Sequence, residues 1–204
     1  MHLVLGTHNR KKGQELIDLV ARWGFDCKTL ADFPDAMAVD ERGTTFAENA
    51  RLKACQQAGQ LGRWVLGEDS GLSVDALGGA PGVYSARFSG PQATDDSNNR
   101  LLIQKLRDVP LEKRTAHYVS HAVLADPRGN IRCESTGRCD GRIRFEPAGL
   151  GGFGYDPYFE IVEYHRTFAE LGNVVKSVLS HRARAIRALL PQMVQFVHDR
   201  MWIE

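Results

Sequence analysis

Apolar residues run almost unbroken through His2 to Gly6 (HLVLG), a stretch too short for a helix and closed by glycine, which predicts a buried strand. From Lys11 to Trp23 the positions Leu16, Ile17, Leu19, Val20 and Trp23 return at helical spacing and predict an amphipathic helix. The polar join between the two is THNRKK. Thr45-Phe46-Ala47-Glu48 has the form of a capping box, opening a helix that runs to about Leu61. A short apolar run, Trp64 to Leu66, predicts the next strand, and GGAPGVYSARFSG after it reads as irregular, tightly turned backbone. Thr94 caps a further helix, with Asp95 and Asp96 in its first turn and Leu101, Leu102 and Leu106 along it. Residues 115 to 125 and 131 to 136 are rich in strand formers and flank the turn signal DPRGN, which predicts a hairpin, with a third strand near Arg142 to Phe145. The last helix opens near Ser180 and meets Pro191, expected to kink or divide it.

Strands alternate with helices first and follow one another later, the order of an α/β protein with a mixed central sheet flanked by helices. No repeat or linker interrupts it, so residues 1–204 are expected to form a single domain. Composition changes this picture little: 43% of the 204 residues are hydrophobic, as in an ordinary globular protein. Charge does exclude something. With 26 basic and 25 acidic residues the net charge is +1, which argues against a general binder of nucleic acid or of membrane surfaces. Cys27, Cys55, Cys133 and Cys139 are scattered, without zinc-ligand spacing, and read as reduced thiols. No run approaches the roughly 20 apolar residues of a membrane span, and MHLVLGTHNRKK has the wrong order for a signal peptide. A cytoplasmic location is expected.

The chemistry concentrates in a few stretches. LGEDSGLSVD places Glu68, Asp69 and Asp75 around a Ser-Gly corner, and like charges so crowded either face water separately or share a cation. THNRKK sets a hydroxyl, an amide and cationic side chains at a strand-to-helix join, where unpaired N–H groups favour an anion. That composition suits phosphate, or else Thr7 or Asn9 only caps the helix while the lysines are solvated. Glu48 is read as part of its capping box, and Lys53, more than a turn on, as a residue able to point at the acidic corner. GLGGFGYDPYF contains Gly149, Gly151 and Gly154 at the spacing of a dinucleotide fingerprint, but Tyr155-Asp156-Pro157 forbids the helix that fingerprint must open. It reads instead as a loop presenting Phe153, Tyr155 and Asp156, where a flat ligand could stack. KSVLSHRARAIR gathers Lys176, His181, Arg182, Arg184 and Arg187 about a helix start, and a bare charge run of this kind is usually a solvated face. His117 and His121 are read as sheet residues rather than metal ligands. Taken together, one acidic corner could hold a divalent ion and two donor-rich segments could hold phosphates and a base.

These stretches, read together, resemble one family. THNRKK, ERGTTFAENARLKA, EDSGLSVDALGGAPGVYSARFSG, EPAGLGGFGYDPYF, RTFAEL and KSVLSHRARA stand in the order found in the inosine/xanthosine triphosphate pyrophosphatases, from residue 7 to 185. The resemblance implies an elongated α/β fold with two lobes around a substrate cleft, usually a homodimer. It also implies hydrolysis of non-standard purine nucleoside triphosphates (ITP, dITP, XTP) to a monophosphate and pyrophosphate with magnesium as cofactor. Carried over by motif position, Asp69 is the general base and a metal ligand, Glu41 the second metal carboxylate and Asp40 its alternate. Lys53 joins Asp69 in catalysis. Thr7, His8, Asn9, Arg10, Lys11, Lys12 and Ser70 hold phosphates and sugar. Phe153, Gly154, Tyr155, Asp156, Lys176, His181 and Arg182 form the base-recognition set. The chemistry is consistent, because hypoxanthine and xanthine carry a 6-oxygen that donors on Lys, His and Arg can satisfy, whereas adenine presents an amino group there.

Two departures stand out: Asn173-Val174-Val175 replaces the usual acidic pair before Lys176, and Glu68 stands where Asp is common. Rival readings are a pyrophosphatase acting on modified pyrimidine or methylated nucleotides, and a non-enzymatic nucleic-acid-binding module using residues 176 to 187.

Overall fold

Leu3, Val4 and Leu5 are all buried, so the first strand must be covered on both faces, as near-continuous apolar strands usually are. The computed structural model describes residues 1–202. In chain order the strands are β1 (His2–Leu5), β2 (Asp26–Thr29), β3 (Val65–Val74), β4 (Thr115–Ala125), β5 (Ile131–Ile143), β6 (Phe159–Ile161) and β7 (Arg166–Thr167). The helices are α1 (Arg10–Val20), α2 (Phe46–Leu61), α3 (Asp95–Leu106), α4 (Phe168–Leu179) and α5 (His181–His198). Among the described residues the strands form one mixed sheet in the order β2-β1-β3-β4-β5-β6-β7. β1 pairs in parallel with β2 and β3, while β6 pairs antiparallel with β5 and β7.

The chain divides into two compact units. The first comprises Met1–Asp69, Ser120–Gly137 and the segment from Arg182 onward. Leu3 and Leu5 pack with Leu16, Leu19 and Val20 of α1 and with Ile186, Leu189, Leu190 and Met193 of α5. Val4, between them, points to the other face with Val65 and with Ala50, Ala54 and Ala58 of α2. Alanines recur there because α2 lies against bare backbone: a Cβ on Gly67 would meet the Ala50 carbonyl and the Ala54 nitrogen at 2.6 Å. The second unit comprises Ser70–Val119 and Arg138–His181. Its core joins Leu72 and Val74 to Leu102 and Leu106 of α3, and to Tyr118, Phe159 and Phe168.

Several expectations need correction. The predicted strand at Trp64 to Leu66 is longer, so the supposed Ser-Gly corner is the middle of β3. β5 is one strand from Ile131 to Ile143 rather than two, because Gly141 marks close approach to Phe159 and Glu160, not a break. α1 ends at Val20, and a tight turn through Trp23 to left-handed Gly24 leaves Trp23 49% exposed instead of on the buried side. Pro191 does not divide α5, whose flanking Leu189, Leu190 and Met193 are anchored in the first core. β2, β6, β7 and α4 were not anticipated. The hairpin turn is as expected: Asp126 N–H donates to the Asn130 carbonyl, and Asp126 Oδ1 accepts from the N–H groups of Arg128 and Asn130.

Candidate active site

Alternation along β3 decides how its acidic residues are used. Neighbouring side chains on a strand point to opposite faces, so Glu68 and Asp69 part company, and Asp75 leaves the group altogether to accept from Thr115 at 2.6 Å in the second unit. The crowding visible in LGEDSGLSVD is therefore resolved by direction. Each buried carboxylate then finds its own partners.

Asp69 shares the α2 face with Gly67. Helix α2 begins at the Thr45–Glu48 capping box, where Glu48 accepts from the Thr44 and Thr45 N–H groups, which holds its carboxyl below the ordinary range. One turn on, buried Asn49 donates to Asp69 Oδ2 at 3.3 Å and accepts from the Gly43 N–H at 2.8 Å. Lys53, a turn further, places its ammonium 2.8 Å from Asp69 Oδ1 and 2.9 Å from Glu41 Oε2. Burial pushes the Asp69 carboxyl above its usual value, with Lys53 and Lys12 partly opposing. For Lys53 burial pulls downward, but the charges of Asp69 and Glu41 outweigh it and hold the ammonium above its ordinary value. Asp40, the alternate to Glu41, is instead paired with Arg42 at 2.6 Å in an exposed position.

Glu68, 2% exposed, lies on the opposite face of β3. It accepts from Ser120 at 2.7 Å and pairs with Lys12 and Arg182, each at 3.3 Å. Arg182 also pairs with Glu15. At the start of α1, Asn9 Oδ1 accepts from the Lys11 and Lys12 N–H groups, and Thr7 Oγ1 accepts from the Asn9 N–H. The capping alternative thus describes Asn9, and Lys12 is turned inward rather than solvated. His8, Arg10 and Lys11 are exposed.

In the second unit, Asp156 and Lys176 form a buried pair at 2.6 Å. Asp156 Oδ2 also accepts from the Phe153 N–H, and the Lys176 ammonium lies 4.4 Å from the Phe153 ring centroid. Gly154 is held through both backbone groups, its N–H by Asp95 and its carbonyl by Asn99. Tyr155 is buried and donates to the Ser85 carbonyl. His181 stacks on Tyr118 with ring centroids 4.6 Å apart. Arg182, which the resemblance groups with Lys176 and His181, pairs with Glu15 and Glu68. Ser70, half-buried, opens the second unit. His121 contacts Thr136 and Glu134 within the sheet.

The sequence reading missed Asn49, Ser120 and Glu15 as members of these clusters, and placed Glu68 in the acidic corner without its partners. For Glu68 the signal was available in the strand alternation itself. Asp69 and Glu41 converge on one ammonium, so two carboxylate oxygens of the chemical kind that magnesium takes stand side by side here.

A mixed α/β sheet protein with buried acid–cation clusters is the class these observations define. Residues 3–192 match the model of the Ham1 family, and the chain belongs to that family. It is 51% identical over 197 residues to a dITP/XTP pyrophosphatase of Rhodopirellula baltica, covering 97% of this chain and 95% of that protein. A dITP/XTP pyrophosphatase of an Exiguobacterium species is 47% identical, covering 97% and 99%. The structure of a HAM1 protein from Coxiella burnetii superposes with a TM-score of 0.86 at 32% identity, covering 96% of this chain and 99% of that one. A nucleoside-triphosphatase / dITP/XTP pyrophosphatase from Mycobacterium abscessus gives 0.74 at 40% identity, covering 95% and 100%. Among the described residues, no helix is long and apolar enough to cross a membrane.

Proposed function

We propose that the chain hydrolyses non-standard purine nucleoside triphosphates, dITP, ITP and XTP, to the monophosphate and pyrophosphate, clearing deaminated purines from the nucleotide pool. The reading is carried by the two relatives named dITP/XTP pyrophosphatase that align over 97% of this chain. The geometry agrees with it.

Asp69 is the general base. Its burial raises its proton affinity, so it is better suited than an exposed carboxylate to take a proton from water attacking the α-phosphorus. Asn49 fixes its second oxygen and so its direction. Lys12 and Lys53 supply positive charge to the phosphates, and positioning with charge stabilisation accounts for most of the catalysis in phosphoryl transfer. Asp69 and Glu41 would hold a magnesium ion, which when bound supplies neutralisation of the triphosphate charge. At the base end, Lys176, oriented by Asp156, and His181 offer donors to a 6-oxygen, while Phe153 offers a ring for stacking. Arg182, held by Glu15 and Glu68, adds to the donor set, and Thr7 to Lys11 and Ser70 complete the substrate contacts.

The whole chain is proposed to act as a single catalytic domain, in a cytoplasmic homodimer. The scattered free cysteines fit a reducing compartment, and sedimentation tests the dimer.

The decisive assay measures pyrophosphate and orthophosphate released from dITP, XTP, GTP, ATP and TTP, with and without magnesium. Pyrophosphate chiefly from dITP and XTP, and only with metal, is the expected result. Orthophosphate, or equal turnover of ATP, contradicts the reading.

A further inference from the structure

The two carboxylates assigned to the metal already share a cation, and that cation is Lys53. Its ammonium lies 2.8 Å from Asp69 Oδ1, 2.9 Å from Glu41 Oε2 and 3.4 Å from the Glu68 carbonyl. An ammonium has three donors, and each meets a protein oxygen here. In this arrangement Lys53 has none left for a phosphate. Nor can the same two oxygens serve a divalent ion while a positive group stands between them.

We propose that Lys53 is an exchangeable occupant of the metal seat. Without nucleotide it neutralises Asp69 and Glu41. When a metal–nucleotide complex binds, Lys53 leaves the carboxylates and its ammonium turns to the phosphates, so one side-chain movement both opens the seat and supplies the phosphate ligand. The inference rests on the proposed function and adds to it an order of events.

Three observations support it. Lys53 bridges two carboxylates, Asp69 and Glu41, and one or two carboxylates together with substrate phosphates are the usual holders of magnesium. Asp69 is independently tethered, its other oxygen accepting from Asn49, which Gly43 holds in turn, so its position survives departure of the lysine. Helix α2 is fixed by its backbone contact with Gly67, which leaves the flexible four-carbon stem of Lys53 as the part that moves.

The test is a nucleotide-free titration with manganese, read as loss of the free-ion signal in electron paramagnetic resonance. It compares the natural protein with Lys53→Met, Lys53→Gln and the double variant Lys53→Met, Glu41→Gln. Removing one unit charge a few ångströms from the seat is expected to tighten manganese binding at least about tenfold, and the double variant is expected to lose that gain. Unchanged or weaker binding in a Lys53→Met protein with native circular dichroism overturns the inference. If that variant does not fold, Lys53→Gln decides, and failure of both to fold also overturns it, because an exchangeable ammonium cannot be one on which the fold depends. Turnover of dITP by the natural protein is measured alongside. Its presence with a negative manganese result removes the inference and leaves the proposed function standing, whereas its absence removes the function whatever manganese does.

Discussion

The acid clusters of the two units bury charge in opposite ways. In the first, Glu15 and Glu68 are matched by Lys12 and Arg182 on one face of β3, while on the other Asp69 and Glu41 share Lys53, so the side chains named on that face carry an excess of negative charge. In the second, Asp156 and Lys176 balance one another, and the surroundings are aromatic: Phe153 beside the ammonium, Tyr118 stacked on His181. A buried excess of negative charge is costly unless a cation joins it, which suits a cluster that receives a metal with polyphosphate. A balanced pair beside rings suits a flat, uncharged heterocycle. On the proposed function, net charge, more than the number of ionisable residues, distinguishes the residues assigned to phosphate from those assigned to the base.

That contrast can be attacked at both ends. The largest effect is expected from Asp69→Asn, which should lower kcat by about 10² or more, the scale of losing a general base. Near-normal turnover by a folded variant would remove Asp69 from that role. Next is Lys176→Met. It strands the buried Asp156 carboxylate and should cost about 3–5 kcal/mol of stability, as when one partner of a buried pair is removed. Adding Asp156→Asn should recover most of the loss in chemical denaturation, and no recovery would show that the pair is not balanced in the sense described. Gly67→Ala should cost about 1–3 kcal/mol by forcing α2 off the strand, and should depress kcat as well, because Lys53 and Asn49 ride on that helix.

The smallest effect lies outside both clusters. Hydrogen bonds from Arg51 lead the causes that hold the Glu134 carboxyl down to about 2 from its ordinary 4.5. A carboxylate whose folded pKa is depressed contributes stability above its ordinary pKa and loses it as pH falls through the folded one. Glu134→Gln should therefore lower stability at pH 7 by no more than about 1 kcal/mol, because both side chains are partly exposed, and the Tm falls accordingly. The difference should shrink between pH 4.5 and about 2, and a gap that persists at pH 2 would count against this assignment.

Much of this was legible in the sequence, and the gaps have physical causes. The same four residues, Thr-Phe-Ala-Glu, open both α2 and α4 with reciprocal capping boxes. The first was recognised because a regular helix follows it. The second was not, since Gly172 interrupts α4 in a non-helical conformation and Val174 and Val178 face outward, erasing the apolar periodicity. Glu68 was seen only as crowding because β3 was taken to end at Leu66, and a strand continuing through both acids is what assigns them to different faces. The pairing of Arg182 with Glu15 joins residues far apart in sequence through α1 and α5, which no local pattern reveals.

The most direct test of the division between the two clusters is the ratio of kcat/KM for dITP over dATP in the natural protein, Asp69→Asn and Lys176→Met. Asp69→Asn is expected to slow both substrates alike and keep the ratio, whereas Lys176→Met should keep residual turnover and bring the ratio toward one. A ratio shifted by Asp69→Asn, or preserved by Lys176→Met, would contradict the assignment of phosphate chemistry to one cluster and base recognition to the other.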